Sequence, residues 1–250
     1  MTDHIQLARL EYQARRYRYA VQFAQYALAR DPDDIEALQI LGLASLQFCD
    51  FAAGIAALEH LALLRPLTDE CRIELAIAYG SLGKKQLSRD LLMMLATSPK
   101  TNSTQLLRIA TGLEAVDQPR LAMEACRQAG KKQPDSADVH YRMGYYVQIC
   151  GHPPHLSEAL IRHAIDLDPR NLHYRIGLAS LLIRLGRKSE AFSVIDHVIP
   201  DRLWEVACQC CLKRIANLLF DCDDLRRAKL CTDRLKSLEA AADQPSEPVQ

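Results

Sequence analysis

LHYRIGLASLLIRLGRKSEAFSVIDHVIP, spanning Leu172–Pro200, is the stretch from which the fold can be read. Its first half carries Leu178, Leu181, Leu182 and Leu185 at spacings of three and four, the period of an amphipathic helix. Gly186 can turn left-handed without a Cβ penalty, which is how many helices stop. Ser189 is placed to be the N-cap of a second helix, with Ala191, Ile195 and Val198 along one face. Pro200 forbids that helix from running on. Two short helices, a tight turn and a stop make one antiparallel hairpin. Neither helix can bury its apolar stripe alone, so the unit needs neighbours.

Those neighbours recur along the chain with a period of 34 residues. Leu7, Ala8, Ala20, Ala24, Ala27 and Pro32 mark the first copy; Leu41, Gly42, Gly54, Leu58, Leu61 and Pro66 mark the second. The third has Leu75, Ala76, Ser88, Leu92 and Leu95, and the fourth Ile109, Ala110, Ala122, Cys126 and Ala129. The fifth, with Met143, Gly144, Ser157, Ile161 and Ala164, gains one residue in the turn Gly151-His152-Pro153-Pro154-His155. The opening hairpin is the sixth, and Ile215, Ala216, Ala228, Thr232 and Leu235 mark the seventh. In every copy a small residue on the first helix meets a small one on the second, as close helix approach requires.

The period, the Leu/small pair on the first helix and the small–bulky–small run on the second, closed by proline, resemble tetratricopeptide repeats. The joins RDPDDIEALQILGLAS and IDLDPRNLHYRIGLAS carry the resemblance most fully. Departures are the missing aromatic at the start of most first helices and the alanine at position 24. The resemblance implies an all-α, right-handed superhelical solenoid of antiparallel helix pairs, about 14 helices in all. One domain is expected over residues 1–242, with repeats at about 1–34, 35–68, 69–102, 103–136, 137–171, 172–205 and 209–242. The remainder, residues 243–250, has no apolar period and is expected to be a disordered tail.

Composition is that of an ordinary packed protein: 250 residues, 49% hydrophobic and 25% charged. The 31 basic and 31 acidic residues balance, so the basic footprint of a nucleic-acid binder is missing. No apolar run is long enough to span a bilayer, and the first residues do not form a secretory signal. A cytoplasmic location is expected, where nine scattered cysteines stay reduced.

In the family that the chain resembles, the first helices line a concave face that takes another polypeptide. Carried over by period, that implies a partner-binding face of Tyr12, Leu43, Ile73, Ile77, Arg108, Thr111, Tyr141, Arg142, Tyr145, His173, Ile176, Ser180 and Arg184. Aliphatic side chains dominate the early copies, whereas Arg and Tyr interleave in the later ones. Tyr and Arg are enriched among binding hot spots, and Arg presents a fork suited to carboxylates. The expected function is therefore a non-catalytic adaptor, scaffold or assembly factor that holds a peptide or helix of a partner protein. Self-association through the repeats is the alternative. Lys213 and Asn217 stand where some members clamp a C-terminal carboxylate, but no later copies supply the remaining basic residues.

Other clusters point to packing rather than chemistry. Cys208, Cys210, Cys211 and Cys222, with Cys231 beyond, could ligate zinc only by converging, and neighbours on a helix point apart. They are expected to be small core fillers, with no metal bound. His152 and His155 flank two prolines in a surface turn, with His163 on the next helix. Asp221, Asp223 and Asp224 serve helix capping. No nucleophile elbow, phosphate-cradling glycine loop or zinc-protease motif occurs, so no cofactor and no catalysis are expected.

Overall fold

The structure, a computed structural model, describes residues 3–196, 200–206 and 208–243. Among the described residues there are fourteen α-helices, one short 3-10 helix and no strand. Contacts divide the chain into two compact units, one ending at Pro134 and one beginning at Asp135. The first unit holds α1 (His4–Gln13), α2 (Tyr17–Leu28), α3 (Ile35–Gln47), α4 (Phe51–Leu64), α5 (Asp69–Ser81), α6 (Lys85–Ala96), α7 (Ser103–Ala115) and α8 (Pro119–Lys132). The second holds α9 (Ala137–Ile149), α10 (Pro154–Leu167), α11 (Leu172–Arg184), α12 (Lys188–Ile195), α13 (Gln209–Asp221) and α14 (Leu225–Asp243). Val198 and residues 244–250 of the expected tail lie outside the described residues; Asp243 closes α14.

Each hairpin turns on one left-handed residue. These are Arg15, Cys49, Gly83, Asp117, Gly151, Gly186 and Asp223, with φ between 59° and 81°. The following N–H reaches back five residues, as in Arg16 to the Glu11 carbonyl, Lys84 to Tyr79 and Arg187 to Leu182, at 2.9 Å in all three. This is the Schellman closure of a helix C-terminus, repeated seven times. The other end of each hairpin has its own column: Asp34, Thr68, Asn102, Ser136, Asn171 and Cys208 stand at the N-caps of α3, α5, α7, α9, α11 and α13. Asp34 accepts the Ala37 N–H at 2.8 Å, and Asn102 with Gln105 completes a reciprocal capping box.

Paired helices pack face to face, each second helix also packs on the next first helix within its unit, and α1, α3, α5 and α7 lie side by side. The small residues expected at the hairpin crossings are where helices come closest. A Cβ built on Gly42 would lie 2.6 Å from Leu58, and one on Gly54 would lie 2.5 Å from Leu46 and 3.1 Å from the Gly42 carbonyl. Ala8, Ala20, Ala76, Ser88, Ala110, Ala122, Ala179 and Ala191 are fully buried at the equivalent places. Around them Leu58, Leu92, Leu106, Leu178 and Leu182 are wholly enclosed, each contributing about 1.5–3 kcal/mol of apolar burial.

Three details of the opening hairpin differ from expectation. Leu185 is not on the core stripe; it follows α11 and is 39% exposed. The N-cap of α12 is Arg187, so Ser189 stands inside the first turn, where its carbonyl accepts from the Ser193 hydroxyl. α12 also stops at Ile195, and Pro200 opens the 3-10 helix Pro200–Glu205 rather than ending an α-helix. That extra turn accommodates the longer spacing from Gly186 to Asp223, and α14 packs against it.

Candidate functional site

In the first unit most of the expected binding face is engaged by the protein itself. Leu43 and Ile73 are buried, 3% and 2% exposed, so they belong to the core and not to a surface. The reason is lateral packing: α3 and α5 lie between neighbouring first helices, which consume these short apolar side chains. Tyr12 is half-buried, 5.6 Å from the Tyr17 ring; burial, and then Glu70, push its hydroxyl up to about 12. Ile77 packs beside Gly112, where an added Cβ would come within 2.7 Å of it. The Thr111 hydroxyl donates to the Leu107 carbonyl at 3.1 Å. Arg108 lays its fork on Glu74 of the preceding repeat, at 2.6 and 2.7 Å. That bidentate pair raises the Arg108 pKa, against burial, and occupies the donors that a partner carboxylate would need.

The second unit leaves more on offer. Ile176 and Ser180 are buried, 2% and 6% exposed; α13 packs beside α11, and Ile176 belongs to the core that these two helices share. Tyr141 is half-buried against Tyr174 and His173, with ring centroids 4.9 and 4.8 Å away, and burial pushes its hydroxyl far up. It fits because position 177 is glycine: a Cβ there would lie 2.5 Å from the Tyr141 ring. Arg142 bonds Asp138 one turn back, with Nε 3.1 Å from both carboxylate oxygens. Tyr145 is 40% exposed. Arg184 differs from the other arginines of the face. It has no carboxylate partner among the described residues; burial, and then the nearby Arg214 charge, lower its pKa.

Two cavities open in this unit. One of about 390 Å³ is walled by Ile183, Leu218 and Phe220, with Arg214, Asn217 and the Lys188–Asp221 ion pair at its polar side. The other, of about 490 Å³, is lined by Asn171, His173, Arg202, Glu205, Cys208 and Cys211, with Ile176 at its apolar side. Burial lowers the His173 pKa.

About two thirds of the chain superposes on solved helical repeat structures. No protein-family model matches the chain, and no curated protein matches it in sequence. Among solved structures it is similar to the Thermus thermophilus TPR protein TTC0263, with a TM-score of 0.57, 19% identity, and 72% of this chain and 98% of that one covered. It is also similar to MamA, with a TM-score of 0.54 at 15% identity over 66% of this chain and 95% of that one. YrrB, described as a TPR protein with an unusual peptide-binding site, gives 0.52 at 15% over 68% and 88%. The chain has a tetratricopeptide-like repeat fold.

Within that repeat fold the cysteines behave otherwise than the sequence pattern suggests. Cys231 is buried in the core, as a small filler should be. Cys211 and Cys222 are half-buried and pack against that core, whereas Cys208 is half-buried outside it and Cys210 is exposed, which corrects the assignment of these last two to the core. The sulfur atoms of Cys208, Cys210 and Cys211 all lie within 4.8 Å of one another, the one such group of three among the described residues, with Cys208 and Cys210 at 3.0 Å. Side chains of helix neighbours point apart, but Cys208 precedes the helix: with φ −83° and ψ 108° it is extended and swings back over the first turn. Burial would raise the Cys208 thiol, but hydrogen bonds from Cys210 and Cys211 outweigh it and leave the thiol below its ordinary value. Arg214 and Phe220, which wall the smaller cavity with a cation and an exposed ring, also carry more of the open face than Ile176 or Ser180.

Proposed function

We propose that this chain is a non-catalytic interaction module that takes a segment of another protein on the first-helix face of its second unit. Arg184 and Arg214 carry the proposal. The two guanidinium groups, of which Arg184 has its pKa lowered by burial and then by the Arg214 charge, stand without carboxylate partners among the described residues. Beside them is a cavity whose other wall is Ile183, Leu218 and a 47% exposed Phe220. Both physical costs of that arrangement fall when an acidic, apolar segment arrives: repulsion is relieved and apolar surface is covered. The expected occupant is a peptide or helix with an acidic side chain next to a large apolar one. The similarity to YrrB, whose description names a peptide-binding site, is in keeping with this at the level of fold.

The test is selection from a displayed random peptide library against the full chain and against an Arg184→Glu, Arg214→Glu variant, with circular dichroism confirming the helices of both. Enrichment of acidic–apolar peptides by the parent alone supports the reading. Peptides retained equally by the charge-reversed variant, or an enriched set with no acidic residue, would remove these arginines from the site.

A further inference from the structure

We propose that Cys208, Cys210 and Cys211 form a binding site for a soft, thiophilic d10 cation, zinc(II) or copper(I), at the start of α13. The sequence motif is Cys-Gln-Cys-Cys, and the fold explains why it converges. Position 208 belongs to the cap column that elsewhere holds Asp34, Thr68, Asn102, Ser136 and Asn171. A residue there folds its side chain back towards positions two and three of the helix. Here those two positions are also cysteines, so the geometry by which Asp34, Thr68, Asn102 and Asn171 cap the backbone gathers three sulfur atoms in this repeat. Their mutual separations, from 3.0 Å to within 4.8 Å, bracket the roughly 3.8 Å between thiolates that share a tetrahedral zinc at about 2.3 Å.

The chemistry of the surroundings agrees. Thiolates select zinc(II) and copper(I) over harder ions. The N-terminal end of a helix favours negative charge, which suits thiolates. Cys208 and Cys211 also line the cavity of about 490 Å³, so an ion reaches them without unfolding, and the same cavity is lined by His173 and Glu205, the latter paired with Arg202. Binding converts three thiols to thiolates and releases a proton from each that was protonated, so affinity rises with pH. All nine cysteines are free, so no disulfide competes for these sulfurs.

The experiment uses the full chain, reduced and stripped of metal by a chelator, and titrated anaerobically with cobalt(II) as a spectroscopic stand-in for zinc. The expected result is a sulfur-to-cobalt charge-transfer band that saturates at one equivalent, shrinks at lower pH and bleaches on addition of zinc(II). Cys210→Ser alters an exposed residue and leaves the packing intact; it is expected to weaken binding about tenfold or more. The triple variant Cys208→Ser, Cys210→Ser, Cys211→Ser keeps a serine cap and loses the band, while Cys222→Ser retains it. Absence of a thiolate band with all thiols reduced would overturn the site. So would a band that survives the triple substitution. Loss of two reactive thiols on mild oxidation, with no metal bound under reduction, would also overturn it and mark a dithiol pair instead.

Discussion

At the scale of single residues, the turns set the terms. Seven of the described positions that close hairpins adopt a left-handed backbone, and only Gly83, Gly151 and Gly186 are glycine. Arg15, Cys49, Asp117 and Asp223 hold the same conformation with a Cβ, which costs each of them roughly 1 kcal/mol. Nothing lies within 4 Å of a Cβ built on Gly186, so an alanine there meets only the backbone penalty. Gly186→Ala is therefore expected to lower stability by about 1 kcal/mol, and Cys49→Gly to raise it by up to about the same amount. Urea midpoints at constant m-value check both. Equal midpoints for the parent and both variants would mean that the turn conformation is not what limits these residues.

At the scale of helices, the hairpin crossing and the links between hairpins bear different loads. The α3–α4 crossing has no room: valine at position 54 would drive its branches into Leu46 and the Gly42 carbonyl, which are already at contact for a bare Cβ. Gly54→Val is expected to cost about 1–3 kcal/mol by overpacking, read as a lower thermal or urea midpoint with α3 and α4 losing amide protection first. Between hairpins, ionic links add to the apolar packing. Arg187, at the cap of α12, bonds Glu158 on α10 at 2.6 Å while also holding Glu190, and Arg162 adds a second cation on Glu158. The Arg187 hydrogen bond, with help from Arg162 and against burial, holds the Glu158 carboxyl below its ordinary range. Its folded pKa lies below its unfolded one, so its contribution is present above the unfolded value and fades as pH falls through the folded one. Glu158→Gln is expected to lower the midpoint at neutral pH and to shrink the loss of stability as pH falls through and below the ordinary carboxylate range. A variant that loses as much on acidification as the parent would assign that loss to other carboxylates.

For the molecule as a whole, the repeat was legible because it is written in the small residues of the hairpin crossings, which tolerate few substitutes. Ala8, Gly42, Ala76, Ala110, Gly144 and Ala179 locate the crossings to the residue, and the extra residue after Gly151 appears as a turn one position longer than that after Asp117. The binding face was less legible, because equal position in the period does not mean equal exposure. Arg9, Leu43, Ile77, Thr111, Tyr145 and Ser180 share one column, yet Arg9 reaches out to Glu36 whereas Leu43 and Ser180 are buried. Long side chains leave a crowded position that short ones fill. Nor does a pattern of apolar periods reveal that Arg108 finds Glu74 one repeat back, since either charge alone looks free. The cysteine group escaped for a narrower reason: three residues that diverge inside a helix converge when the first is its cap.

Nearest-neighbour packing carries one more consequence at this scale. Gly54 and Glu158 lie in different units and touch different side chains, so their perturbations draw on separate sets of interactions. The double variant Gly54→Val, Glu158→Gln is expected to lose the sum of the two single losses to within about 0.5 kcal/mol. Gly42→Ala combined with Gly54→Val, which crowd the same crossing of Leu58, Leu46 and backbone carbonyls, is expected to deviate from its sum by more than that. Urea unfolding of the single and double variants, with amide exchange assigning each loss to its helices, decides between the two outcomes. Strong coupling in the distant pair, or strict additivity in the close one, would show that stability in this chain is not assembled from neighbouring helices.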